Sequence, residues 1–243
     1  MKLFQASPDL TSFFSLRDLE LEAAGLAFGY ATMQVQQPNY SGLDGTERTP
    51  WTEALTHTIE QCLARARDDA KTNDAAGVID ASLSIGQHEG WLEARYEGTM
   101  VRSSTSSTAP FLSLISVREM ASLRATHLVP LDLVFGVCYY RQMPGFRSSN
   151  LKVRTNAEHP DFTRALARTR TLAADRMVER ARQVNASGIV GVKFMLDNQE
   201  MADGVLHTSV AIVGTAVGPG AFGDPKMPDP KMVLSLAKLK KAQ

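Results

Sequence analysis

Leu26-Ala27-Phe28-Gly29 and Leu133-Val134-Phe135-Gly136 decide the fold, because the second stretch repeats the first. Three more blocks recur in the same order. Ser15-Leu16-Arg17-Asp18-Leu19 returns as Ser116-Val117-Arg118-Glu119-Met120, and Ala75-Ala76-Gly77-Val78-Ile79 as Ala186-Ser187-Gly188-Ile189-Val190. Gly98-Thr99-Met100-Val101 returns as Gly214-Thr215-Ala216-Val217. A spacing of roughly a hundred residues means two copies of a domain, since solenoid repeats run to about 20–50 residues.

Composition is that of an ordinary globular chain: 243 residues, 44% hydrophobic and 21% charged. The formal net charge of zero gives no electrostatic reason to expect a nucleic-acid partner. The opening Met1-Lys2-Leu3-Phe4-Gln5 lacks the apolar run of a signal peptide. No apolar stretch is long enough to span a bilayer, so no stable membrane insertion is expected. Cys62 and Cys138 sit at unmatched places in the two copies, which argues against a disulfide framework and for a reducing, cytoplasmic setting.

Each copy opens with a serine followed three residues later by an acid, Ser15 with Asp18 and Ser116 with Glu119. That pattern starts a short helix, because the hydroxyl satisfies an orphan backbone amide. A strand rich in aromatic and β-branched residues follows, 26–36 in one copy and 131–142 in the other. A long amphipathic helix comes next. Its apolar stripe is Trp51, Ala54, Leu55, Thr58, Ile59, Cys62, Leu63 and Ala66 in the first copy. Phe162, Ala165, Leu166, Thr169, Leu172, Ala173, Met177 and Ala181 make the matching stripe. Two further strands close each copy, 77–85 with 91–101 and 188–196 with 205–217. The fold expected is α+β: two tandem β-α-β-β units, each a three-stranded antiparallel sheet against a long helix, with a short leading helix. The first unit spans 13–102, a Ser/Thr linker 103–110, the second unit 111–218, and a Pro/Gly tether with a basic segment 219–243. One helix covers one face of a sheet. The other face needs the second copy or another chain, so self-association is expected.

The second copy resembles the YbjQ-like family. The resemblance lies in Ala173-Ala174-Asp175-Arg176-Met177, in Asn185-Ala186-Ser187-Gly188-Ile189-Val190-Gly191-Val192-Lys193-Phe194, and in Gly214-Thr215-Ala216-Val217. Asn185, Gly188, Gly191, Gly214 and Thr215 are the positions that match the family's signature. The first copy is a divergent relative, with Asp80 in place of the strand glycine and Met100 in place of the alanine. The resemblance implies dodecin-like α+β units assembled as a homo-oligomeric ring. It also implies the role in the family's label, heavy-metal binding.

The residues offer little for that label. His57, His88 and His207 are the candidate ligands for a divalent transition metal, yet no C-x-x-C or H-x-x-x-H spacing accompanies them. Cys62 lies on the apolar stripe, where a thiol serves as a small hydrophobe. No cofactor is expected. There is no Gly-x-Ser-x-Gly elbow and no phosphate loop, so an enzyme is not expected either. The helix-face arginines Arg164, Arg168, Arg170, Arg176, Arg180 and Arg182 lack interleaved aromatics and read as a solvated or interface face. The C-terminal stretch 218–243 carries five lysines against Asp224 and Asp229. Leu234, Leu236 and Leu239 form a candidate docking segment for a protein partner, loosely similar to the C-terminal peptides that load cargo into encapsulin shells. The function expected is therefore a non-enzymatic, ring-forming binding or scaffold protein. The alternatives are a heavy-metal-binding protein, and a protein docked to a partner or shell through its C-terminal peptide.

Overall fold

The computed structural model describes residue 16 and residues 19–35, 46–88, 90–103, 109–142, 160–200 and 206–220. Of the leading helix expected at Ser15 to Asp18, Leu16 alone is described, helical and buried; the linker residues 104–108 and the segment holding Leu234, Leu236 and Leu239 lie outside the described residues.

The chain is α+β, with two mixed or antiparallel sheets and three helices among the described residues. The first half supplies β1 (Leu21–Gln34), β2 (Thr46–Glu47), α1 (Thr49–Thr72), β3 (Gly77–His88) and β4 (Trp91–Ser103). The second supplies β5 (Phe111–Leu112), α2 (Val117–Ala125), β6 (Leu128–Gln142), α3 (Pro160–Gln183), β7 (Gly188–Glu200) and β8 (Leu206–Pro219). Each half builds the expected three-stranded antiparallel sheet, β1-β4-β3 or β6-β8-β7. Each sheet then gains a short fourth strand from the other half. β5 joins β3 in parallel and β2 joins β6 antiparallel, so the halves are hydrogen-bonded to each other through their sheets. Sequence patterning did not expose these strands, because two residues are too short for any periodicity.

The two halves share their irregularities as well as their elements. Glu20 and His127 both have φ 56° at the entry to the first long strand. Both first strands carry a register break three to four residues in, at Ala23/Gly25 and at Pro130/Asp132. Both helices have 24 residues, and Thr58 and Thr169 each donate to the carbonyl one turn back, on Ala54 and Ala165. Both third strands bulge at one place, between Ile79 and Ser82 and between Val190 and Lys193. Gly191 in that bulge has φ 61°, and Asp80 holds φ 50° at the matching position. Aspartate tolerates the left-handed region better than most side chains, so the bulge survives the change. Asn185 and Asp74, with φ 55° and 52°, turn the chain out of the two long helices.

Ser116 forms the full capping box at the start of α2. Its hydroxyl accepts from the Glu119 amide, and the Glu119 carboxylate accepts from the Ser116 amide. The core has a layered order. On sheet one, Ala27, Gly29, Ala31, Ala94 and Tyr96 face α1. On sheet two, Val134, Cys138, Val210, Ile212 and Ala216 face α3. The opposite face of sheet two, with Leu133, Phe135, Val137, Tyr139, Ala211 and Val213, packs on the core around α1. Packing of the halves thus covers the outer face of sheet two, and among the described residues it leaves the outer face of sheet one bare.

Gly29 and Gly136 set how closely helix and sheet approach. A Cβ on Gly29 would collide with the Cys62 carbonyl oxygen, and one on Gly136 with the Ala173 carbonyl oxygen. Backbone meets backbone there, and neither side can yield. Gly136→Ala is expected to destabilise the chain by roughly 2–3 kcal/mol through overpacking. A thermal or urea unfolding curve compared with that of Gly188→Ala, where the added Cβ meets only ordinary contact, checks this.

Candidate functional site

Most of the strong polar chemistry lies where the halves meet. Arg67 on α1 reaches Asp132 on β6 with 2.6 and 2.8 Å contacts from one guanidinium nitrogen. The Asp132 carboxylate also accepts from its neighbour's amide at Leu133, 3.0 Å away. Arg176 on α3 pairs with Glu47 at 2.7 Å and donates to the Val137 carbonyl at 2.7 Å. Arg180 bonds Glu60 at 2.6 Å, and its guanidinium lies 4.1 Å from the centre of the Phe135 ring. Arg176 and Arg180 are therefore interface residues. Arg164 and Arg182, both exposed, pair with Asp161 and Glu179 one turn along their own helix. Such exposed pairs contribute little.

These charges line a cleft of about 530 Å³ between α1, α3 and the edge of β6. Glu47, Glu53, His57, Glu60, Arg176, Glu179 and Arg180 are its ionisable lining. Burial raises the Glu47 carboxyl, but hydrogen bonds from Arg176 and Thr52 outweigh it and hold the group below its ordinary value. The cleft is thus occupied by ion pairs that tie α1, α3 and β2 together.

A second polar chain crosses the other end of the interface. Gln87 on β3 donates to the Tyr139 hydroxyl at 3.4 Å, and that hydroxyl bonds His207 Nδ1 at 2.9 Å. Trp51 stacks on the Tyr139 ring with centroids 4.9 Å apart. None of these cross-half contacts was visible in the sequence, because each joins residues far apart in the chain. For one of them a signal was available: Val178 and Gly25 stand at the positions matching Arg67 and Asp132, so both charges lack a counterpart, whereas Arg176 is matched by Arg65.

His57, His88 and His207 have separate surroundings. His57 is exposed on α1 at the cleft. His88 stacks on Trp91 at 3.9 Å, with a ring nitrogen 3.5 Å from Glu93. His207 bonds Tyr139. Among the described residues no group of three His, Cys, Asp or Glu side chains is placed to hold a metal ion. The thiols do not fit a soft metal either. Cys62 is buried and bonds the Gly29 carbonyl at 3.3 Å, and burial pushes its thiol up to about 11. Burial and then the Glu47 carboxylate push Cys138 up to about 12. Both sulfurs are held as neutral thiols, whereas a soft metal binds thiolate. Of the signature positions, Asn185 and Gly191 shape the backbone, and Thr215 is buried with its hydroxyl accepting from the Leu114 amide at 3.0 Å. Gly214 packs under Ile189 and Val192, while Gly188 opens β7.

The thiols give a pH prediction. Each binds its proton more tightly folded than unfolded, so its contribution to stability is constant below the ordinary thiol value of 9.0. It falls as pH rises through 9 toward 11 for Cys62 and toward 12 for Cys138. Denaturation midpoints between pH 8 and 11 should show this loss, and Cys62→Ala should reduce it. Both cysteines should resist alkylation until the chain is unfolded.

Comparison with known proteins bears on the second half first. A family model described as "Putative heavy-metal-binding", the YbjQ-like family, matches residues 130–218. The chain is also similar to the encapsulin nanocompartment protein Rv1762c of Mycobacterium tuberculosis (strain ATCC 25618 / H37Rv). The two are 28% identical over 228 residues, which covers 89% of this chain and 86% of that protein. No helix among the described residues is long and apolar enough to cross a membrane. The segment from β6 through β8, with α3 packed across it, is accordingly the part of the chain that is similar to the YbjQ-like family.

Proposed function

We propose that the chain is a non-enzymatic scaffold that assembles with itself into a closed ring of dodecin-like units, its first half being a divergent YbjQ-like repeat of its second. The observation that carries this reading is the outer face of sheet one. Leu26, Phe28 and Tyr30 on β1 and Trp91 on β4 stand exposed there, although each is a large apolar or aromatic side chain. Stable monomers rarely leave such residues clustered in water. The polar groups at the junction of the halves support a structural role, because the arginines are spent on fixed ion pairs rather than held ready for a substrate. Heavy-metal binding is the weaker reading, since both thiols are buried and neutral.

A second reading extends the first. The encapsulin nanocompartment protein named above is similar to this chain over nearly all of both lengths. The oligomer would then be held at or within a protein shell, with Leu234, Leu236 and Leu239 as the docking residues. A tethered apolar peptide suits such a task, since many copies on one oligomer raise the effective concentration without new contacts.

Native mass spectrometry of the untagged full chain tests the first reading. A single closed oligomer, unchanged when zinc or copper is added and removed, is expected. A monomer would overturn the scaffold, and a metal ion retained at one per chain would favour the family's label. Co-expression with an encapsulin shell protein tests the second. The full chain should co-purify with intact shells, and a chain ending at residue 220 should not.

A further inference from the structure

The junction of the two halves has an open counterpart at each end of the chain. In the closed junction the buried face of sheet two carries Leu133 and Phe135, 5% and 3% exposed. Their counterparts in the repeated block are Leu26 and Phe28, which are 40% and 52% exposed on the outer face of sheet one. The same residue types occupy both places, yet only one pair is covered.

The other side of the junction behaves alike. There α1 and the inner face of β3 press against sheet two. Leu55, Leu83 and Ile85 line a shared cavity of about 300 Å³ with Met195, Ser209 and Ala211. β3 and β7 both start at the glycine of the repeated block, so Leu83 and Ile85 correspond to Phe194 and Leu196. Phe194 pairs with Ile212 and Leu196 with Val210, which places them on the face that α3 covers. α3 reaches β6 and β8 but not this edge, and Val192, Phe194 and Leu196 are 52%, 46% and 43% exposed. On the helices, Trp51, Leu55 and Ile59 are buried in the junction. Their counterparts Phe162 and Leu166 are half-buried, and Arg170 is exposed.

Charge follows the same correspondence. Arg67 and Asp132 form the ion pair across the closed junction. Val178, itself exposed, stands where Arg67 does, and Gly25 stands where Asp132 does. Both charges are missing together, so neither open face carries half of that pair. The one charge added to the helix stripe, Arg170, would meet a sheet face bearing Glu93, Arg95 and Glu97, of which Arg95 and Glu97 already pair at 3.4 Å. Their counterparts in the closed junction are Ser209, Ala211 and Val213.

We infer that the open face of α3 and β7 on one chain docks on the outer face of sheet one on a second copy, repeating the junction that the halves make within a chain. This inference rests on the self-assembly proposed above and specifies its surfaces. The occupant of both faces is another copy of this chain. The contact is heterologous: two different surfaces meet, and repetition leads to a ring when the rotation closes. An isologous dimer would instead bury each face against itself.

Two full-length variants test the inference: Phe28→Glu, which spoils one face, and Phe194→Glu, which spoils the other. Both side chains are exposed, so each variant should keep the wild-type circular dichroism spectrum, and its unfolding midpoint should fall only by what association adds to wild type at the same concentration. Size-exclusion chromatography with light scattering should show an oligomer for wild type and a monomer for each variant alone. Mixed in equal amounts, the two should form a two-chain complex and nothing larger, through the one face each retains. Wild-type oligomer with either variant unchanged would overturn the inference but leave self-assembly standing, and would mean that the faces are covered by something else, such as the chain's own C-terminal segment. A variant that still forms dimers alone would overturn it in favour of isologous contact. A monomeric wild type would overturn both.

Discussion

Each half of this chain has one long helix and one sheet, and a sheet has two faces. That shortage governs the rest of the architecture. α1 and α3 each cover the inner face of their own sheet, brought close by Gly29 and Gly136. The second sheet then solves its problem by laying its other face on α1 and β3. Burial of Leu133, Phe135, Val137 and Tyr139 there supplies an apolar contact inside one polypeptide, where no association entropy opposes it. The first sheet has no such neighbour within the chain. Two units with two helices leave one sheet face and one helix-and-strand face over.

The polar contacts fix the geometry of the covered junction. Arg67 with Asp132, Arg176 with Glu47 and Arg180 with Glu60 all join elements from different halves. The exchanged strands β2 and β5 do the same through backbone hydrogen bonds. Half-buried pairs of this kind specify orientation more than they add stability. The absence of the Arg67–Asp132 pair from the matching open positions, Val178 and Gly25, separates the bond within a chain from the contact between chains. A chain that used one set of charges for both would risk docking its own halves onto the wrong copy.

Much of the fold was legible because it depends on patterns longer than a few residues. The repeated blocks, the 3.6-residue stripes of α1 and α3, and the Ser116–Glu119 box all announce themselves locally. The glycine in the β7 bulge did so too, since a glycine within a β-branched run marks a backbone irregularity. Its equivalence to Asp80 was legible too, and the structure adds that both residues take the same left-handed φ. The junction was hidden for a physical reason. Leu26 and Leu133 read identically, and nothing local to either says which one is covered. Exposure depends on the neighbour across the interface, which periodicity within one element does not encode. The two-residue strands and the Gln87–Tyr139–His207 chain were hidden for the same reason. The metal-ligand histidines suggested by the family's label were legible as residues, but their separation into three surroundings emerged only in the fold.

The most direct measurement of the account is a cryo-electron microscopy reconstruction of the full-length protein as purified. One repeating contact between chains is expected, with Leu26, Phe28 and Tyr30 of one copy lying beneath α3 of the next, whose Phe194 and Leu196 lie over β3 and β4. This contact should superimpose on the junction between the halves of a single chain. A reconstruction in which those two faces remain open to solvent, or in which each is covered by its own equivalent, would contradict it.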